Sequence, residues 1–465
     1  MLSVGRTSLL AALCTASSAI GRSRASTDET FIAAHDPAVW YTGRTMVNSD
    51  GSRSFDWEGT QLWVNVQGAS YVKMVINATN GMVGRFSVEA NGVEASSFFV
   101  GASKCDEKLQ TCNEYLAAQE LNGAGVKNTT IRAISILEPA FGGAGKGKTL
   151  TFYGWKTDGT VLPASPPRAR KIELLGDSIS AGYGSRGNAA LHAADECPVN
   201  DLTSGNLYTY NWKIAEHFSA QLVPIAWSGK GMYKNCCDNG ELMPAYWLQT
   251  LAGMGCSTPA CTGSTDWDHS RYVPDMMIIN LGTNDFGHDS GAAWEKEFSD
   301  TYTEFVLNAT RIYQNPKLPV FVAQVRTSSS LCRRWLVACR WHCWQRWRRC
   351  TEESLAAAAA PSSAGTDEQQ PAIGCCIEHE HRGNQQGRRQ RDLSQSQRYE
   401  VPAQAAFLRP GCIVWSALSS PCCVCVRASL AGPPNDGCGG HPGVLGHEGM
   451  AEQAIPQIAA VMGWS

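Results

Sequence analysis

Apolar and polar residues alternate in short runs through much of the chain from about Asp28 to Thr160. Leu62, Val64 and Val66 alternate with Gln61, Trp63 and Asn65. Val72, Met74 and Ile76 repeat the pattern, and Phe86 with Val88, then Thr149, Thr151 and Tyr153, continue it. A period of two puts successive side chains on opposite faces of a strand. Many such runs, broken by Gly, Asn and Asp, predict a β-sandwich over 28–162. Pro163, Pro166 and Pro167 then mark a linker.

From 168 the period changes. A strand ending near Leu175, a helix over about 207–218, strands at about 222–226 and 276–281, a helix over about 292–313 and a strand at about 319–325 follow in turn. In the long helix Trp294, Phe298, Tyr302, Phe305, Ala309 and Ile312 share one stripe. Strands alternating with amphipathic helices predict an α/β domain, 168–326, with a mainly parallel sheet covered on both faces.

Neither period persists across 327–430. Cys332, Cys339, Cys343 and Cys350 lie among Arg and Trp, an alanine run spans Ala356 to Ala360, and no lysine follows Lys317. The stretch reads as an irregular or disordered insertion, or as a gene-model error such as a retained intron. A zinc module using His342 ranks last, because the spacing matches no familiar ligand pattern. Over 431–465 regular texture returns, and Met450, Ala454, Ile458 and Val461 form a final helical stripe that contains Pro456.

Length and composition add limits. The chain of 465 residues can hold two or three domains, and a net charge of −3 excludes a strongly basic nucleic-acid binder. A positive start, an apolar run from Leu9 to Leu13 and small residues up to Ala19 read as a signal peptide over 1–19. Nineteen cysteines fit an oxidising compartment. Cys105 with Cys112, Cys197 with Cys236 or Cys237, and Cys256 with Cys261 are the expected disulfides. Asn77, Asn128 and Asn308 begin glycan sequons. The chain is expected to be a secreted, extracellular monomer without nucleic-acid or membrane partners.

Four separated blocks carry the chemistry: Gly176-Asp177-Ser178, Trp227-Ser228-Gly229-Lys230-Gly231, Gly282-Thr283-Asn284-Asp285, and His441-Pro442. Each falls at the expected carboxyl end of a strand or before a helix, so a parallel sheet gathers them at one edge. At the strand-to-helix corner Ser178 suits a nucleophile, although Gly176, Asp177 and Ser178 also suit an ordinary turn and N-cap.

In these blocks the chain resembles the SGNH, or GDSL-type, hydrolases. Arg-Lys-Ile-Glu-Leu-Leu-Gly-Asp-Ser before and at Ser178, Trp-Ser-Gly-Lys-Gly-Met-Tyr, Gly-Thr-Asn-Asp-Phe and Gly-Cys-x-x-His-Pro are most similar to carbohydrate esterase family two. The resemblance implies a β-sandwich followed by a three-layer α/β/α SGNH domain. It further implies Ser178 as nucleophile, His441 as general base, and an oxyanion hole of the Ser178 and Gly229 amides with the Asn284 side chain.

SGNH enzymes usually carry Asp three residues before the histidine, where this chain has Cys438. The expectation is therefore a Ser-His dyad whose imidazole is held by a backbone carbonyl, that of Gly440, with Asp436 a minor alternative. His447 is read as a packing residue. The implied activity is hydrolysis of acetyl esters on cell-wall polysaccharide, resembling acetylxylan esterases, without metal or organic cofactor. With an unperturbed histidine it should be lost below about pH 6. Trp227, Tyr233, Trp247 and Trp267 are the candidate sugar-stacking aromatics. A lipase or lysophospholipase and a non-catalytic carbohydrate-binding protein are the alternatives.

Overall fold

Alternating runs become two antiparallel sheets because each strand can hide one face only against another apolar face. The computed structural model describes residues 29–79, 81–101, 105–106, 111–121, 127–142, 148–165, 168–187, 197–254, 266–287, 291–325, 413–419, 422–424 and 436–465. One sheet runs in the order Glu114–Gln119, Tyr71–Ala78, Leu150–Thr157, Arg53–Phe55, Met46–Val47, with Thr30–Ala33 also on Leu150–Thr157. The other runs Thr160–Leu162, Gln61–Gln67, Asn128–Ser135, Gly84–Ala90, Val93–Val100, with Trp40–Thr42 also on Gln61–Gln67. Leu62, Val64, Val66, Val72, Met74, Ile76, Phe86 and Val88 fill the core between them. In Leu150–Thr157 the residues that join this core are Leu150, Phe152 and Trp155, because the register shifts between Phe152 and Gly154.

After the linker a second sheet system begins. Ala220–Ala226, Arg170–Gly176, Met276–Asn280 and Val320–Val325 lie side by side in that order and all pair in parallel. On one face Phe298, Tyr302 and Phe305 of the Ala292–Ile312 helix share a core with Leu175, Ile225, Met277 and Ile279. On the other, Tyr210 and Ile214 of the Tyr210–His217 helix and Met450 and Ala454 of the Val444–Met462 helix pack with Ile172, Leu174 and Ile278. Among the described residues no helix is long and apolar enough to cross a membrane.

The two systems are tied by a buried ion pair. Arg44 of the sandwich reaches Glu173 of the parallel sheet at 3.0 Å, with both side chains fully buried. Such a pair is stable only when its remaining donors and acceptors are satisfied. Arg44 also donates to the Trp247 and Gln249 carbonyls, and Glu173 accepts from Trp247 Nε1 and the Tyr313 hydroxyl, so most of the pair's remaining groups are met. Arg44 Nε alone is buried without a protein partner among the described residues.

Within the stretch expected to be irregular, Ile413–Ser419 and Cys422–Val424 form antiparallel strands that extend the parallel sheet beyond Val320–Val325. The run Ile-Val-Trp-Ser-Ala-Leu has the β-branched and aromatic content that strands favour. The rest of 327–430 and the expected signal peptide lie outside the described residues.

Candidate active site

Gly176, Ala226 and Asn280 stand in one register across three neighbouring strands. The first three blocks therefore leave the sheet at the same edge, the first starting on the last residue of its strand and the other two one and two residues after theirs. Asp177 caps the short Ser178–Ala181 helix, its carboxylate accepting the Ile179 amide at 3.0 Å. Burial pushes the Asp177 carboxyl up to about 7. Asp285 accepts from the amides of Met232, Tyr233 and Lys234, so the third block holds the loop of the second.

His441 comes from the far end of the chain. Its Nε2 lies 2.8 Å from Ser178 Oγ, and its Nδ1 lies 2.9 Å from the Gly439 carbonyl oxygen. A carbonyl only accepts, so Nδ1 carries the proton and donates, and Nε2 is left as an acceptor facing the serine hydroxyl. The carbonyl that orients the ring belongs to Gly439, not to Gly440 as expected. Both glycines have left-handed φ, +62° and +72°. That conformation folds the turn back so that the carbonyl two residues before the histidine meets its ring. Burial lowers the His441 pKa, opposed by the Gly439 bond.

Asp436 does not hold the imidazole. Its carboxylate accepts the amides of Gly443, Leu445 and Gly446, at the start of the Val444–Met462 helix. His447 is fully buried, with Nδ1 accepting the Tyr210 amide at 3.3 Å, and burial pushes its pKa down to about 3.

Gly229 has φ +80°, and its carbonyl accepts the Cys236 amide. Asn284 Nδ2 donates to the Lys230 carbonyl at 2.7 Å, which places its side chain beside the second block and leaves a second amide proton.

Sequence reasoning passed over Glu138. Fully buried and pushed up to about 7 by burial, it accepts both the Ser228 amide, at 2.7 Å, and the Ser228 hydroxyl, at 2.5 Å, next to Gly229. It passed over Tyr183 as well, whose ring lies 4.6 Å from the His441 ring and 5.4 Å from Phe141. A buried Glu between two strand-rich segments and a Tyr in a glycine-rich turn carry no spacing signal.

Other expectations fail. Trp247 is fully buried and Trp267 nearly so, both in the core beside the Ala292–Ile312 helix, so neither is open to a sugar. Trp227 and Tyr233 remain partly exposed. Cys197 is bonded to Cys438, and Cys236 to its neighbour Cys237, in place of the Cys197 pairing expected from proximity in sequence. The side chains of Cys105 and Cys112 and the Cys256–Cys261 pair lie outside the described residues.

No family model matches the chain. The acetylxylan esterase / glucomannan deacetylase of Cellvibrio japonicus is 28% identical over 284 residues, 59% of this chain and 68% of that protein. Cellulase/esterase CelE of Acetivibrio thermocellus is 27% identical over 302 residues, 64% of this chain; the chain spans 33% of that longer protein. A family two carbohydrate esterase from Clostridium thermocellum, solved in complex with cellohexaose, superposes with a TM-score of 0.59 at 18% identity, covering 92% of this chain and all of that one, a likeness of fold. The homologues and structural neighbours of the chain are thus family two carbohydrate esterases, as its four blocks imply, and they support carboxylic ester hydrolase activity for it.

Proposed function

We propose that the chain is a secreted serine esterase that removes acetyl groups from cell-wall polysaccharide through a Ser178–His441 dyad on an SGNH-type α/β/α domain. The reading rests on one contact above all, the 2.8 Å approach of His441 Nε2 to Ser178 Oγ. In the forward step Nε2 takes the Ser178 proton as Oγ attacks the acetyl carbonyl carbon. The Ser178 and Gly229 amides and the Asn284 side chain stabilise the oxyanion, and as the intermediate collapses to acetyl-Ser178 the imidazolium returns its proton to the departing sugar oxygen, which leaves as a hydroxyl. Water, deprotonated by the same nitrogen, then attacks the acetyl carbonyl carbon; the bond to Oγ breaks, acetate leaves, and the imidazolium returns the proton to Ser178 Oγ. The Gly439 carbonyl does the orienting service of the missing Asp.

Secretion is supported by the N-terminal pattern and by the two cystines of the described residues. The domain reading is a β-sandwich over 28–162 and a hydrolase domain over 168–326 and 431–465. Acetate release from acetylated xylan tests the proposal, with a long-chain ester as comparison; a preference for the long-chain ester would favour a lipase.

The pH profile gives a second check. Only neutral His441 can act as base, and burial holds its pKa below the ordinary 6.5, so the neutral form persists to lower pH. The acid limb of kcat/KM is expected below pH 6.5; a limb above that value would contradict the lowered pKa of His441.

A further inference from the structure

A row of side chains crosses the outer face of the second sandwich sheet. Trp40, Trp63, Arg132 and Glu89 are direct cross-strand neighbours on Trp40–Thr42, Gln61–Gln67, Asn128–Ser135 and Gly84–Ala90. Their inward neighbours Leu62, Val64, Ile131 and Ala133 fill the sandwich core, so this row faces outward. Trp40 and Trp63 stack with ring centres 5.0 Å apart and planes 8° from parallel. The Arg132 guanidinium covers Trp63 at 4.9 Å and Trp212 of the Tyr210–His217 helix at 5.0 Å. A second row, Asn65, Thr130 and Asn91, runs alongside, with Thr130 Oγ1 donating to Asn65 and Asn91 accepting the Thr130 amide.

The two rows floor a cleft of about 450 Å³. Ser165 and Arg168 of the linker close one side. Arg168 precedes the Arg170–Gly176 strand, and Ser178 follows the other end of it, so the cleft and the serine are separated by on the order of 20 Å of strand.

Its chemistry selects a class of ligand. Arg132 pairs with Glu89 at 3.2 Å and with Glu216 at 3.0 Å, and Arg168 pairs with Glu216 at 2.7 Å. Two cations are met by two anions, so the cleft offers no surplus charge for a phosphate or an acidic peptide. What it offers is the outer face of Trp40, since Trp63 is covered by Trp40 on one side and Arg132 on the other. It also offers a strip of amide and hydroxyl groups in which the Asn65 amide is tied to the Pro163 carbonyl and the Ser165 hydroxyl. Indole faces suit the C–H faces of a pyranose ring, and amides and hydroxyls suit its equatorial oxygens. Four strands at the usual spacing make the floor about 15 Å wide, enough for more than one sugar residue.

We infer that this cleft is a second carbohydrate site, one that holds a neutral polysaccharide chain against Trp40 and the Asn65–Thr130–Asn91 strip while Ser178 works on the opposite edge of the sheet. The inference rests on the esterase reading only for the choice of polymer.

The test separates the two. Binding of the Ser178→Ala chain to insoluble xylan needs no turnover. Adding Trp40→Ala to it is expected to weaken retention about tenfold, and Trp40→Phe, which keeps an aromatic face, to restore most of it. With Ser178 intact, Trp40→Ala is expected to raise KM for acetylated xylan about tenfold relative to KM for a small chromogenic acetyl ester. Asn91→Ala, at an exposed position, should shift the same ratio in the same direction. Equal retention with and without Trp40, or equal changes in KM for polymer and small ester, would overturn the second site. Retention that depends on Trp40 in a chain hydrolysing neither substrate would instead remove the esterase reading and leave the cleft standing.

Discussion

His441→Ala is expected to lower kcat/KM for acetyl esters by about 10,000- to 1,000,000-fold, and Ser178→Ala by as much, because in the proposed dyad base and nucleophile act as one unit and their losses do not add. Asp436→Ala should behave differently. Its carboxylate accepts three amides at the head of the Val444–Met462 helix and none of its contacts is with the imidazole. Losing such a cap costs about 1 kcal/mol of stability, so the expected result is a lower melting temperature with most of the turnover kept. Acetate release by the three variants, each checked for folding by its melting curve, decides the matter. If folded Asp436→Ala were as inactive as His441→Ala, the dyad would be wrong and a triad right.

The parts of the fold that were legible are those that repeat over short distances. Alternation at Leu62, Val64 and Val66 fixes which face of its strand is buried, and the stripe from Phe298 to Ala309 does so for its helix, because each depends on a few neighbouring residues. The four blocks were legible for a related reason. Parallel strands start loops at one edge, so Gly176, Ala226 and Asn280 had to fall in one register for the blocks to meet.

Illegible features depend on long-range placement or on backbone handedness. Whether Gly439 or Gly440 presents its carbonyl turns on two left-handed residues that any pair of glycines could supply. Trp247 and Trp267 read as surface aromatics only because their strands and helices of burial lie elsewhere in the chain; Trp247 donates its Nε1 proton to buried Glu173. Glu138 reaches Ser228 across 90 residues. Likewise, pairing cysteines by proximity failed because Cys197 and Cys438 are 241 residues apart.

That cystine carries the second large expected effect. Cys438 opens the turn whose Gly439 carbonyl meets the His441 ring, and it stands at the position where the resemblance to SGNH enzymes implies an Asp. Its amide donates to the Gly184 carbonyl at 3.0 Å, and its own carbonyl accepts the His441 amide at 3.3 Å. Gly187 lies so close that a Cβ there would sit 1.8 Å from Cys438 Sγ, so the Ser178-side loop is shaped around the bond. With two glycines between Cys438 and His441, little else in the turn resists motion. The Cys197→Ser/Cys438→Ser chain is therefore expected to lose stability, up to about 5 kcal/mol for so long a closed loop, and to lose kcat on the order of 100-fold through misplacement of the imidazole. KM should change little, because both cysteines are buried. Dithiothreitol, oxidised to its cyclic disulfide as it reduces Cys197–Cys438 to two thiols, should reproduce both losses in the parent chain; any further loss in the double variant reads the remaining Cys236–Cys237 cystine. A double variant that melted lower yet turned over at the parent rate would reduce the bond to a staple. One that lost kcat while still folded would show that the covalent link, together with a backbone carbonyl, does for the histidine what a carboxylate does elsewhere.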